Sequence, residues 1–253
     1  MPCSSVWTGR FASTSMRWAS GRRQATALAA IGILLGLMLM LMAGVDAASG
    51  RRISLRTEDG VTLSGAYYEP SRRPAPGIVL LHMLHRTHED WDVTASHLSD
   101  AGFAVVAIDF RQAEADLGPL ALDVKAAKAF LRERPDVLAT SIGIAGASIG
   151  ANLAVLDAGD DPAVRSIALL SPGLDYRGLR IEAAMKKYGG RPALLVGSTK
   201  DPYAWRSIRE IAAIGPGTRE VRLTDTVAHG SVLLSRDPDL IGALVDWFRR
   251  TLL

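Results

Sequence analysis

The sequence predicts an α/β fold: a mostly parallel central sheet with helices on both faces, preceded by a leader and carrying no large cap domain. Two observations support the fold class and a third sets the leader apart. After residue 48, short β-branched or apolar runs alternate with stretches of helical periodicity, the pattern of a parallel sheet built from βαβ units. One run, Ile78-Val79-Leu80-Leu81, is apolar throughout, as expected of a strand covered on both faces. The first 45 residues hold four arginines, no acid and an uncharged stretch at 25–45.

Each element follows in order. Residues 53–55 and 61–68 flank Asp59-Gly60 and read as a leading hairpin. Pro70, Pro74 and Pro76 mark a loop before the apolar strand 78–81. Thr87, with Asp90 three residues on, is expected to cap a helix that Ala101-Gly102 ends. Residues 103–110 form the next strand. The stretch 120–134 sets Leu122, Ala126, Ala129 and Phe130 on one helical face, with Pro135 beyond it. Then come strand 142–147, helix 149–157, strand 164–170, strand 192–197, helix 203–214, strand 220–223 and a closing helix 240–251. Residues 171–190 break the rhythm and are too few for a separate cap domain.

Residues 1–47 read as a signal peptide or membrane anchor, leaving 48–253 as the catalytic domain. Arg10, Arg17, Arg22 and Arg23 precede the uncharged stretch, and Val45 and Ala47 put small residues at a cleavage site. About 20 apolar residues also suffice to span a bilayer, so membrane attachment through residues 25–45 stands beside cleavage. The basic flank keeps that end in the cytoplasm, and both readings place the remainder outside, in the periplasm or beyond. The leader also accounts for the net charge of +3: residues 48–253 hold 25 basic and 25 acidic side chains. A neutral domain without a basic run gives no ground for nucleic-acid binding. The single cysteine, Cys3, lies in the leader, so the domain has neither disulfide nor thiol nucleophile.

Gly146-Ala147-Ser148-Ile149-Gly150 fits G-x-S-x-G, the sharp strand-to-helix turn that presents a nucleophilic serine. Its context is right: Ile142-Gly143-Ile144-Ala145 before it reads as strand, and Ala151-Asn152-Leu153-Ala154 after it as helix. Such a turn requires an acid and then a histidine further along the chain. Four of the five histidines precede Ser148, leaving His229 on the loop before the last helix. Imidazole suits a base that both takes and returns a proton near neutral pH. Asp201, after the strand 192–197 and held extended by Pro202, is the expected acid. The same residue could cap the next helix. Asp175 is the alternative acid, and Asp225, four residues from His229, is a weaker one.

On these residues the chain resembles the α/β-hydrolase superfamily, in its dienelactone-hydrolase-like and small serine esterase branch. The likeness covers about residues 53–252 and is carried by Leu81-His82, Ala107-Ile108-Asp109-Phe110-Arg111, the Ser148 pentapeptide, the Asp201 strand and His229. It implies an oxyanion hole made by the amide of Ile149 and a second amide from the loop after Leu81. Members usually carry His-Gly where this chain has His82-Met83, which leaves the second donor open between Leu84 and Met83. The dienelactone hydrolases proper use a cysteine nucleophile; Ser148 stands in that place here. His82, His85 and His88 recur every third residue, a spacing that does not converge three rings on a strand-to-loop segment, and no Cys or Asp–His cluster accompanies them to hold a metal; His82 is expected to buttress the oxyanion loop.

The expected function is therefore cleavage of a small-molecule carboxylic ester through an acyl-enzyme, without cofactor or metal. A peptidase or amidase would use the same three residues, and a non-catalytic binding protein could keep the same fold.

Overall fold

The computed structural model describes residues 50–112 and 116–253. Strands β1 (Arg51–Arg56) and β2 (Thr62–Tyr68) form the leading antiparallel hairpin. They are followed by β3 (Ala75–Leu81), α1 (Asp92–Asp100), β4 (Ala104–Ile108), α2 (Leu120–Arg132), β5 (Val137–Ala147) and α3 (Ile149–Asp160). Next come β6 (Val164–Leu170), the two-residue arms β7 (Asp175–Tyr176) and β8 (Leu179–Arg180), and α4 (Glu182–Tyr188). The described chain closes with β9 (Ala193–Ser198), α5 (Pro202–Ala212), β10 (Arg219–Thr224), α6 (Val232–Arg236) and α7 (Asp239–Leu252).

Eight strands make one sheet in the order β1-β2-β4-β3-β5-β6-β9-β10. Strand β2 runs antiparallel to both its neighbours, while β4, β3, β5, β6, β9 and β10 are mutually parallel. Because strand side chains alternate between faces, the central strands feed two separate cores. Val79, Leu81, Val106, Ile108, Ile144, Ile167 and Leu195 pack with α2, α3 and α4 on one face. Ile78, Leu80, Val105, Ala145, Leu170 and Val196 pack with α1 and α7 on the other, around Trp91, Trp247 and Phe248.

Two local expectations need correction. Pro76 lies inside β3 rather than in the preceding loop; the β3–β5 register shifts between Pro76 and Gly77, the kind of irregularity that tolerates a residue without an N–H. Thr87 makes no capping hydrogen bond, and a single 3-10 turn over His88–Trp91 precedes α1. Asp90 N closes that turn onto Thr87 O at 3.2 Å, and the first N–H of the turn, that of His88, is satisfied from afar by Asp109 Oδ1 at 2.7 Å. Residues 171–190, which break the rhythm in the sequence, form the β7–β8 hairpin and α4. Asn152, fully buried on α3, holds them: its Nδ2 donates to Leu179 O at 3.0 Å and its Oδ1 accepts from Gly173 N at 3.1 Å.

Among the described residues no helix is long and apolar enough to cross a membrane. The leader at 1–47, with its uncharged stretch at 25–45, lies outside them.

Candidate active site

The parallel strands β5, β6, β9 and β10 end on the same edge of the sheet, and the loops leaving them carry the candidate residues. Ser148 follows β5 directly, with φ +53° and ψ −114°, a conformation that L-residues rarely adopt. The flanking glycines are there because the backbone passes too close for any side chain. A Cβ on Gly146 would lie 2.2 Å from Gly150 O, and one on Gly150 would lie 2.4 Å from Leu81 O. The turn is held by Ser148 N donating to Leu170 O at 2.8 Å and by Ala151 N donating to Ser148 O at 2.9 Å. Ile149 is the first residue of α3, so its N–H has no acceptor within the helix.

His229 lies between Ser148 and Asp201. Its Nε2 is 2.9 Å from Ser148 Oγ, and its Nδ1 is 2.5 Å from Asp201 Oδ2. The Asp201 carboxylate accepts at Nδ1, so Nδ1 carries the ring proton and Nε2 is left to accept from the serine hydroxyl. Asp201 uses its other oxygen as the N-cap of α5, where Oδ1 accepts from Ala204 N at 3.1 Å with Pro202 next in the chain. Capping and histidine orientation thus share one carboxylate. The ring is 46% exposed and the carboxylate 16%, so the imidazole is reachable while the carboxylate behind it is sheltered.

The alternative acids are elsewhere. Asp175 closes the β7–β8 hairpin, accepting from Gly178 N at 2.8 Å and Arg180 Nε at 2.7 Å; these two partners hold its carboxyl below the usual range. Asp225 is exposed on the loop before His229.

The loop after β3 is a tight turn. Arg86 N donates to Met83 O at 3.2 Å, and His85, third of the four residues, has φ +60°, as a type II turn requires. His82 is buried beneath it. Phe110 N donates to its Nε2 at 3.0 Å, so Nδ1 bears the proton and donates to Met83 O at 2.7 Å. Burial pushes the His82 pKa down, against the opposing pull of the Met83 carbonyl, so the ring stays neutral and the tautomer stays fixed. Met83 O accordingly receives two donors. In a planar trans peptide the N–H of the next residue points the opposite way, so the N–H of Leu84 faces away from both. Leu84 and Ile149 line one cleft of about 550 Å³ together with His82, Phe110 and Leu120.

The floor of that cleft is fixed by three consecutive residues leaving β4. Asp109 accepts from His88 Nδ1 at 2.9 Å, Phe110 donates to His82, and Arg111 is paired with Asp59 at 2.5 Å and the fully buried Asp123 at 2.7 Å. His82 and His88 are thereby turned to separate partners. Among the described residues no group of three or more His, Cys, Asp or Glu side chains is arranged to hold a metal ion.

Sequence reasoning missed three serines that anchor the loops. Ser171, buried at the end of β6 with φ +48°, accepts from Gly230 N at 3.0 Å. Ser198 Oγ donates to Thr226 O at 2.5 Å and accepts from Lys200 N at 2.9 Å, tying the Asp201 loop to the His229 loop. Ser231 Oγ donates to Asp90 Oδ2. Met83, the unusual residue after His82, finds room over Gly230, where a Cβ would lie 2.6 Å from its sulfur.

No protein-family model matches this chain, and no curated protein matches it. Solved structures do. An esterase from Pyrococcus furiosus aligns over 82% of this chain and 93% of its own, with a TM-score of 0.68 at 17% identity. A dienelactone hydrolase from Anabaena variabilis aligns over 81% and 98%, with a TM-score of 0.67 at 20% identity. The fold is that of the α/β-hydrolases. A thermostable carboxylesterase from a metagenomic library shares this α/β-hydrolase fold too, aligning over 85% of this chain and 93% of its own, with a TM-score of 0.67 at 20% identity. Identities this low carry the α/β-hydrolase architecture alone and leave the chemistry to the residues.

Proposed function

We propose that the chain is a serine hydrolase that cleaves carboxylic esters by two-step acyl transfer. The observation that carries this reading is His229, whose two ring nitrogens are engaged by Ser148 Oγ and Asp201 Oδ2 at once. In the first step His229 Nε2 takes the Ser148 proton as Oγ bonds to the ester carbonyl carbon. The carbonyl oxygen becomes an oxyanion facing the amides of Ile149 and Leu84. Collapse breaks the ester C–O bond, and the imidazolium returns its proton to the departing alkoxide. Water, deprotonated by the same nitrogen, then attacks the acyl-enzyme and regenerates Ser148. Asp201 stabilises the imidazolium in both steps.

Leu84 is favoured over Met83 as the second donor by the double capture of Met83 O. Residue 83 need not be glycine for that geometry, because the turn takes its positive φ at His85. The cleft of about 550 Å³ beside Ile149 and Leu84 suits an ester of small or medium size. The leader at 1–47 directs the domain out of the cytoplasm, either cleaved or kept as an anchor.

The test is hydrolysis of short-chain p-nitrophenyl esters by residues 48–253. Wild-type turnover with none above background in Ser148→Ala is the expected result. Equal turnover in the two would remove Ser148 from the reaction.

A further inference from the structure

The two halves of the proposed site come from distant parts of the chain. The oxyanion loop follows β3, whereas the base lies some 145 residues on. One side-chain chain joins them. Ser231, two residues after His229 and buried, donates a short hydrogen bond to Asp90 Oδ2. Asp90 in turn accepts from Arg86, Nε at 2.9 Å to each oxygen and Nη2 at 2.5 Å to Oδ1. Arg86 is the residue whose N–H closes the turn around Leu84. The carboxylate at the centre is 10% exposed. Burial alone would raise its pKa, but the hydrogen bonds from Arg86 and Ser231 outweigh that and hold it below the usual carboxylate range. Asp90 thus stays anionic, and an ionised acceptor makes both bonds stronger than neutral ones.

Two further contacts hold Gly230, the residue between His229 and Ser231. Gly230 N is held by Ser171 Oγ, and its bare Cα lies under the Met83 sulfur. The segment carrying His229 is therefore fixed from the β6 side by Ser171 and from the oxyanion side by Asp90 and Met83.

We propose that Arg86, Asp90 and Ser231 form a clasp that keeps the histidine loop in register with the oxyanion loop, making Asp90 and Ser231 positioning residues. The inference rests on the serine hydrolase reading above. The chemistry supplies the reason for such a device: the base must meet Ser148 Oγ while the amides meet the oxyanion, and an error near 1 Å in that geometry costs about a hundredfold. Neither Asp90 nor Ser231 is within the set that touches the reacting atoms, so their effect runs through placement.

The experiment measures kcat and KM on p-nitrophenyl acetate, with thermal unfolding alongside, for Ser231→Ala, Asp90→Ala, the double variant and Ser231→Thr. The expected result is kcat lowered about tenfold to a hundredfold in each single variant, with KM within about twofold. The double variant falls no further than the worse single one, and Ser231→Thr, which keeps the hydroxyl, recovers most of the loss. The rate of fluorophosphonate labelling should fall in parallel with kcat while the final labelled fraction stays the same. Unchanged kcat in Ser231→Ala, or losses that multiply in the double variant, would overturn the clasp. So would a labelled fraction that drops with stability while the rate per labelled molecule holds. Failure of Ser148→Ala to abolish turnover is a separate result that removes the underlying reading instead.

Discussion

Asp201 has two jobs on two oxygens, and Asp201→Asn separates them. Asparagine keeps Oδ1 as the cap of α5, a position where Asn and Asp are about equally good. Its amide NH₂ then occupies the place of Oδ2, 2.5 Å from His229 Nδ1. A donor there forces the ring into the other tautomer, with the proton on Nε2, and Nε2 can no longer accept from Ser148. By that argument kcat falls by about four orders of magnitude, or about 5.5 kcal/mol of barrier at 1.4 kcal/mol per tenfold. Stability should barely move. Asp201→Ala, by contrast, removes the cap bond to Ala204 N as well and should cost about 1 kcal/mol, lowering Tm by about 2–4 °C for a domain of this size. The assay pairs p-nitrophenyl acetate turnover with thermal unfolding. An Asn variant within tenfold of wild type, or one as destabilised as the Ala variant, would refute the division of labour. An equal loss in Asp175→Asn would do so too, since Asp175 is bound to Gly178 and Arg180 instead.

Other consequences are more local. Gly150→Ala should abolish activity and cost about 3 kcal/mol or more, because its Cβ would meet Leu81 O at 2.4 Å and His82 O at 2.7 Å; a variant with wild-type turnover and Tm would show the approach to be looser. Arg111→Met takes the guanidinium from the fully buried Asp123, leaving it only the residue-111 N–H at 2.9 Å, and should destabilise by about 3 kcal/mol in urea titration, whereas a loss under 1 kcal/mol would mean that Asp123 is not held by that pair. Burial holds His82 neutral with a pKa below the free value near 6.5, so its contribution to stability is full above about pH 6.5 and declines as pH falls toward the depressed value. His82→Gln should flatten that acid limb, and an unchanged pH slope would argue against it. For the leader, N-terminal sequencing from fractionated cells should find either a new first residue Ala48 or an intact chain released only by detergent; a full-length cytoplasmic protein would contradict both.

How much of this was legible in the sequence depended on how local the cause was. The Ser148 turn declares itself because the close approaches of Gly146 and Gly150 demand glycine within five residues. The strand 78–81 was readable because burial on both faces permits no polar residue there, and the same holds for the stretch 167–170 that ends β6. Asp201 and His229 are nominated by chain order and elimination, and in the structure His229 is hydrogen-bonded to both Ser148 and Asp201. The Thr87 cap is not made because the N–H it would receive, that of Asp90, closes a 3-10 turn onto the Thr87 carbonyl at 3.2 Å instead. Ser171, Ser198 and Ser231 gave no signal, since a short polar residue in a loop looks the same whether it faces water or holds a neighbouring loop. The hairpin and helix at 171–190 are stabilised through Asn152 on another element, and no periodicity within the segment reports that.

The most direct test of the central claim is where a covalent serine probe goes. Residues 48–253 are treated with a fluorophosphonate and digested, and the modified peptide is sequenced by mass spectrometry. The proposal expects one adduct per chain, on Ser148, that forms quickly in the wild type, slowly in Asp201→Asn and not at all in Ser148→Ala. A folded domain that takes no label, or an adduct on another residue that persists in Ser148→Ala, would contradict it.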